Sequence, residues 1–490
     1  MTVKKIAIIG AGVSGLGAIK SCLEEGLEPT GFKESFDIGG VWRYEVTHTY
    51  PKNGLRPLKI YRSVTSNTSK EMTSYRQSDL SLTLCSQSKV SSIRKCSDFF
   101  STGQWNVMVE ADGKQESYIF DGIMICNGHY SDPYLPLECF PGIKKFTGLY
   151  FHSHEYKSPE KFKGKRVLVV GLGNTGADVA SELSHVAEQV FLSTRRGSWI
   201  CQRVWDNGHP LDTVLFTRFK DIIKKCLSNS IINKLAEDKL NARFDHAVYG
   251  LQPHHRFLSH QPTFSNDLPN HIIAGRLLVK ANVKTFTETT ATFEDGTEEG
   301  IDVVTFNSLF KYVFPPQLEK PTLAFIGFIQ PAGATIPTSE IQSRWATRVF
   351  KGLNKLPSVS NMMTEIKQIR NYLEKQFVVS LRDERRVQYI EYMDEIALEI
   401  GVKPRLLSLF FWDPKLALKI FFGPCTPYQY RLQGPGKWAG ARTAILTQRE
   451  RIVKPLRTRI VSDNQLPSSG PFWLLGASMA LLVVLTLALF

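Results

Sequence analysis

The pattern G-x-G-x-x-G occurs twice in this chain, each time directly after a run of branched apolar residues and at the start of a helical stretch. The first copy is Gly10, Gly12 and Gly15 behind KKIAII, and the second is Gly171, Gly173 and Gly176 behind KRVLVV. In that setting the first glycine makes a tight turn, the second lets backbone approach a pyrophosphate, and the third lets helix pack on strand. The helix start then offers unpaired N–H groups and the positive end of its dipole to phosphate. A strand from Glu28 to Phe32 follows the first helix and one from Gln189 to Ser193 follows the second, so both units read βαβ. The expected fold class is α/β, with two Rossmann-like dinucleotide-binding domains.

The residues just past each second strand select the nucleotide. An acid roughly 20 residues past the glycines holds a ribose hydroxyl. The first copy offers Lys33 and Glu34 there, so Glu34 is the candidate ribose ligand, and a solvated pair with Lys33 is the alternative. The second copy continues Ser193, Thr194, Arg195, Arg196 with no acid. Guanidinium forks suit a phosphate dianion, so Arg195 and Arg196, with Thr194 beside them and Asn174 at the helix start, point to NADP, against a merely solvated basic turn. Two such sites in one chain suggest a flavin in one and a nicotinamide in the other, with hydride passing between them. Gly39 and Gly40, in FDIGGVW, would bring backbone close to the first nucleotide, and Trp42 could cover a flavin; a plain turn and a core tryptophan are the alternatives.

Just before the second glycine motif stand Phe146, Gly148, His152 and Tyr156, spaced F-x-G-x-x-x-H-x-x-x-Y. With this segment, the chain resembles the mammalian microsomal flavin-containing monooxygenases along nearly its whole length, tail included. The resemblance implies FAD at the first site and NADPH at the second. It also implies delivery of one oxygen atom of dioxygen, through a flavin hydroperoxide, to the soft nitrogen or sulfur of a small lipophilic amine or sulfide. The protein's part is to position cofactors and exclude water. The family's active-site asparagine falls on Asn67 in the SNTSKEM stretch, where a turn residue is the other reading. His152 is expected to hold the linker by hydrogen bonds.

Three departures from the family stand out. Lys33 occupies the place of the glutamate that holds the FAD ribose, a segment is short after Tyr75, and an A-T-G-Y element is missing after Phe306. They are expected to admit water, so that NADPH oxidation runs uncoupled, releasing hydrogen peroxide with little oxygenated product. The alternative reading is a catalytically degenerate, membrane-anchored nucleotide-binding protein or an uncoupled NADPH oxidase. A disulfide or ferredoxin-type reductase is disfavoured, because the eight cysteines include no C-x-x-C pair; their scatter suits a reducing compartment.

At 490 residues the chain has room for two or three domains of about 150 residues. The expected division is an FAD domain over 1–155 and 326–445, an NADP domain with a helical insertion over 156–325, a basic and polar linker over 446–470, and an anchor over 471–490. Asp112-Gly113 inside an alternating stretch signals a hairpin in a small appended sheet. A second hairpin is expected from Phe293 to Phe306, and helices across 340–400. Residues 471–490 carry no charge and have about the length of a membrane-spanning helix. Basic residues stand only on their N-terminal side, which places the body at the cytosolic face of the endoplasmic reticulum. The N-terminus reads as a strand rather than a secretory signal. The net charge of +14 suits two phosphate-bearing cofactors and an anionic membrane, so nucleic acid is not expected as a partner; a homo-oligomer is left open.

Overall fold

The computed structural model describes residues 3–34, 38–40, 84–85, 87–111, 113–128, 135, 137, 140–286, 288–294, 311–376 and 386–454. Trp42, Asn67 and the tail 471–490 lie outside these residues, as do the two shortened stretches after Tyr75 and Phe306. The chain divides into two compact units, Met1–Leu446 and Thr447–Phe490.

The first unit opens with β1 (Lys5–Ile9), helix α1 (Val13–Glu24) and β2 (Glu28–Phe32). Ile6, Ala7 and Ile8 are fully buried, as a strand covered on both faces requires. β3 (Leu84–Cys85) extends the sheet beyond β2. Next come β4 (Ser88–Lys95), β5 (Trp105–Ala111) and β6 (Lys114–Phe120), which form the appended antiparallel sheet. The expected hairpin is there: pairing runs to Ala111 opposite Lys114, and Gly113 adopts φ 73°, the left-handed geometry that a tight two-residue connection needs. Its inner face, through Trp105, Val107 and Val109, joins Phe32, Phe120 and Ile123 in one apolar cluster. β7 (Gly122–Ile125) then returns to the main sheet beside β1.

The second nucleotide fold comprises β8 (Arg166–Val170), α2 (Asn174–Leu183) and β9 (Gln189–Ser193). β10 (Ile200–Cys201) pairs with β11 (Thr263–Phe264), and between them lies α3 (Arg218–Cys226). β12 (Leu277–Lys280) completes a parallel sheet in the order β12-β9-β8. β13 (Asn282–Phe286) and β14 (Ala291–Glu294) form an antiparallel hairpin. Its turn is held at Glu288, whose carbonyl accepts from both the backbone N and Oγ1 of Thr147 (2.8 and 2.9 Å); the hairpin expected from Phe293 to Phe306 lies, past Glu294, outside the described residues.

β15 (Leu323–Phe325) pairs parallel with β7, giving the main sheet the order β15-β7-β1-β2-β3. This is the doubly wound arrangement, with its reversal at β1 and β7, where ligands bind at the carboxyl ends of the strands. The chain thus re-enters the first fold before residue 326, and Val313 and Phe314 are already in its core. β16 (Gln330–Ala332), α4 (Thr335–Phe350), β17 (Arg386–Gln388) and α5 (Tyr389–Ile400) follow, so that the stretch 340–400, expected to be helical, also contains the short strand β17. α3, inside the expected NADP insertion, docks on the first fold: Arg218 donates to both oxygens of Asp394 in α5, at 2.6 and 2.8 Å. In the second unit the stretch expected to be linker includes a short helix, Gln448–Val453.

Candidate nucleotide sites

Three glycines build the first turn by steric exclusion. Gly10 adopts φ 107° and donates its N–H to the carbonyl of Phe32 at 2.9 Å. A Cβ on Gly15 would sit 1.8 Å from the Gly10 carbonyl oxygen, so only glycine lets α1 close on the turn. Gly12 is the N-cap of α1, in extended geometry, and no side chain caps it, which leaves the helix start to an external anion. The Gly39–Gly40 backbone folds onto this turn: Gly39 N–H donates to the Ala11 carbonyl at 3.0 Å, and a Cβ on Gly40 would lie 3.1 Å from Gly12 Cα.

Sequence reasoning missed Gly327 and Gln342. Gly327 follows β15 at φ 79°, and a Cβ there would stand 2.2 Å from Ser14 Oγ in the first turn of α1. Its N–H donates to Gln342 Oε1 at 2.9 Å, and Gln342 Nε2 donates to Tyr392 Oη at 2.7 Å. The stretch FIGFIQPAG holds a glycine after a strand, but nothing local ties it to a turn 300 residues earlier.

The ribose candidate lies at the surface of the first fold. Glu34 is exposed and pairs with Lys89 at 3.5 Å, not with Lys33. Lys33 is the buried neighbour, 6 % exposed, its backbone bonded to Cys85 and Ser88. Successive residues point to opposite sides of a strand, and here the lysine takes the inner side.

The second turn repeats the first. Gly171 has φ 104° and donates to Ser193 O at 2.9 Å, while a Cβ on Gly176 would lie 2.0 Å from Gly171 O. Gly173 is the uncapped N-cap of α2, and a Cβ on it would meet nothing within 4 Å. Asn174 Oδ1 accepts from the Phe264 N–H at 2.8 Å, so this side chain ties β11 to the turn. Thr194 Oγ1 accepts from the Gly197 N–H at 3.2 Å, which shapes the bend that carries exposed Arg195 and half-buried Arg196. Both cradles fit a pyrophosphate, and the basic bend fits a further phosphate. The inner lysine of the first fold does not reproduce a ribose-holding carboxylate.

The linker between the folds is held by its own side chains. His152 Nδ1 accepts from the His154 N–H at 3.1 Å, which caps a single turn. Tyr156 Oη donates to Glu182 Oε2 in α2 at 3.1 Å; burial pushes that carboxyl up, and the tyrosine partly offsets it.

Comparison with known proteins agrees with this geometry. The sequence profile described as flavin-binding monooxygenase-like matches residues 3–84, 76–308 and 307–490. Its breaks fall at the two stretches that the sequence marks as shortened. Flavin-containing monooxygenase 5 of Oryctolagus cuniculus is 49 % identical over 536 residues, covering 99 % of this chain and 100 % of the relative. Dimethylaniline monooxygenase [N-oxide-forming] 2 of Macaca mulatta is 45 % identical over 510 residues, covering 94 % of each. A solved complex of OTEMO with FAD and NADP, 14 % identical, matches 75 % of this chain and 89 % of its own with a TM-score of 0.54, a likeness of fold. With two glycine cradles in one compact unit and a profile match from end to end, the chain belongs to the flavin-binding monooxygenase-like family.

Proposed function

We propose that this chain is an NADPH- and FAD-dependent monooxygenase that transfers one oxygen atom of dioxygen to the soft nitrogen or sulfur of a small lipophilic substrate. The observation that carries this reading is the pair of like-built, uncapped cradles, only the second of which is followed by two arginines. Gly10, Gly12, Gly15 and the start of α1 hold the FAD pyrophosphate, flanked by the Gly39–Gly40 backbone. Gly171, Gly173, Gly176 and the start of α2 hold that of NADP, and Arg195 and Arg196 take the 2′-phosphate. Trp42 and Asn67, both outside the described residues, are assigned from the sequence alone to the flavin and to the oxygen-transfer step. Flavin, once bound, supplies the redox chemistry with NADPH and dioxygen. The chain's own residues bind, orient and keep water out, and among them no acid–base dyad is required.

The domain division follows the cofactors, with the FAD part resuming by Val313. The apolar tail anchors the chain in the endoplasmic reticulum membrane, the body facing the cytosol. Among the described residues no helix is long and apolar enough to cross a membrane. The helix Leu406–Trp412 does expose Leu407, Phe411 and Trp412 almost fully near Lys415 and Lys419, a composition that suits a lipid surface. The reading is tested by mixing the purified protein anaerobically with NADPH or NADH. Bleaching of bound flavin, much faster with NADPH, is expected; a protein that carries no flavin would overturn the reading.

A further inference from the structure

A hydrogen-bonded strap joins the two cradles through residues that neither glycine motif includes. At the second cradle, Thr263 Oγ1 donates to the Leu172 carbonyl inside the glycine turn (2.8 Å), and the Phe264 N–H donates to Asn174 Oδ1 (2.8 Å). Thr263 Oγ1 also meets Ser198 Oγ at 2.9 Å, which ties the strap to the segment after the Arg195–Arg196 bend. Two residues before Thr263, Gln261 Oε1 accepts from Gln330 Nε2 at 2.6 Å. Gln330 opens β16, three residues past Gly327, whose backbone packs on Ser14 at the start of α1. A single amide–amide bond thus closes a continuous path from the Leu172–Asn174 turn to the Gly327–Ser14 contact.

We infer that Gln261 and Gln330 are positioning residues that couple occupancy of the NADP cradle to occupancy of the FAD cradle, an inference that rests on the cofactor assignment above. The segments on either side of the bond are short. A nucleotide that orders the Leu172–Asn174 turn therefore also fixes Gln261, and through Gln330 it fixes the Gly327 turn against Ser14. Neither glutamine stands in a cradle, so loss of the bond leaves each site intact alone. The benefit that each ligand draws from the other disappears, and this benefit is reciprocal by thermodynamic necessity.

The test uses the full-length holoenzyme and reads flavin release, not turnover. FAD fluorescence is followed after dilution, with and without saturating NADP⁺. In the unmodified protein NADP⁺ should strengthen FAD retention about 5- to 10-fold, within the usual range of coupling between sites. In Gln330→Ala and in Gln261→Ala that factor should fall to about 1 to 2. The double variant should show no further loss, as for two partners in one interaction. Gln330→Glu should keep most of the factor, because the Gln261 amide can turn and donate to the new carboxylate. Retention without NADP⁺ should be the same in all variants. If NADP⁺ binds every variant and strengthens FAD retention equally in each, or has no effect in the unmodified protein, the coupling is refuted. If the unmodified protein binds no FAD or no NADP⁺, the cofactor assignment fails instead.

Discussion

His246 shows how a single side chain can write pH into the stability of this fold. It is fully buried; Nε2 accepts from the Ile200 N–H at 3.0 Å, and Nδ1 meets Asn241 Oδ1 at 2.7 Å, so the neutral ring with its proton on Nδ1 satisfies both. Burial, only partly offset by Asp245 and the Phe244 backbone, lowers its pKa from 6.5 to about 4. A histidine lowered on folding adds stability that is complete above the unfolded value and is lost as pH falls toward the folded one. The urea midpoint should therefore drop between pH 6.5 and about 4, and a His246→Gln variant should drop less over that window. Glu340 makes the opposite kind of point. Burial pushes its carboxyl up, yet Arg431, Lys20 and Arg344 outweigh this and hold it at about 2. Glu340→Gln strands those cations in the interior and should cost about 3–5 kcal/mol in urea unfolding, the range found when one partner of a buried pair is removed. None of this network was legible in the sequence, because Lys20 and Glu340 lie 320 residues apart. The glycines were legible, since a turn that tolerates no Cβ leaves one residue type. The facing of Lys33 and Glu34 was not, because successive residues of a strand point to opposite sides and a shift of one position exchanges them.

At the scale of elements, βαβ units announce themselves through local pattern: an apolar strand, a glycine turn, a helix. Both cradles and the Asp112-Gly113 hairpin could be read this way. The β13–β14 hairpin could not, because Thr147, far off in sequence, holds its turn at Glu288. The bend after β9 is the element that carries the proposed choice of nucleotide. Thr194 and Gly197 hold it, and Arg195 and Arg196 ride on it. Replacing both arginines with alanine should weaken NADPH binding by more than about tenfold, the effect of losing one charge-assisted bond, and leave NADH nearly unchanged. Equal affinity of the unmodified chain for the two nucleotides, by fluorescence titration, would show that the bend does not read the 2′-phosphate.

At the largest scale, the two nucleotide folds share the unit Met1–Leu446, and their placement was only partly legible. The return strand β15 enters the first sheet before the boundary drawn at 326, and α3 leaves the second fold to dock on the first, both by contacts between distant segments. The tail makes its own prediction: deletion of residues 471–490 should shift protein from the membrane pellet to the supernatant, and a full-length chain that is soluble without detergent would contradict anchoring. The shortened stretches predict that NADPH consumption outruns product, with hydrogen peroxide as the difference. Near-equal amounts would mean that the site seals despite them. The most direct measurement supplies the purified, FAD-loaded protein with NADPH, a tertiary amine or thioether and ¹⁸O₂, and weighs the product by mass spectrometry. One ¹⁸O atom in an N-oxide or S-oxide, formed only when NADPH is present, is the predicted result; NADPH oxidised with all the consumed ¹⁸O₂ recovered as peroxide and water, and no ¹⁸O in the substrate, would contradict it.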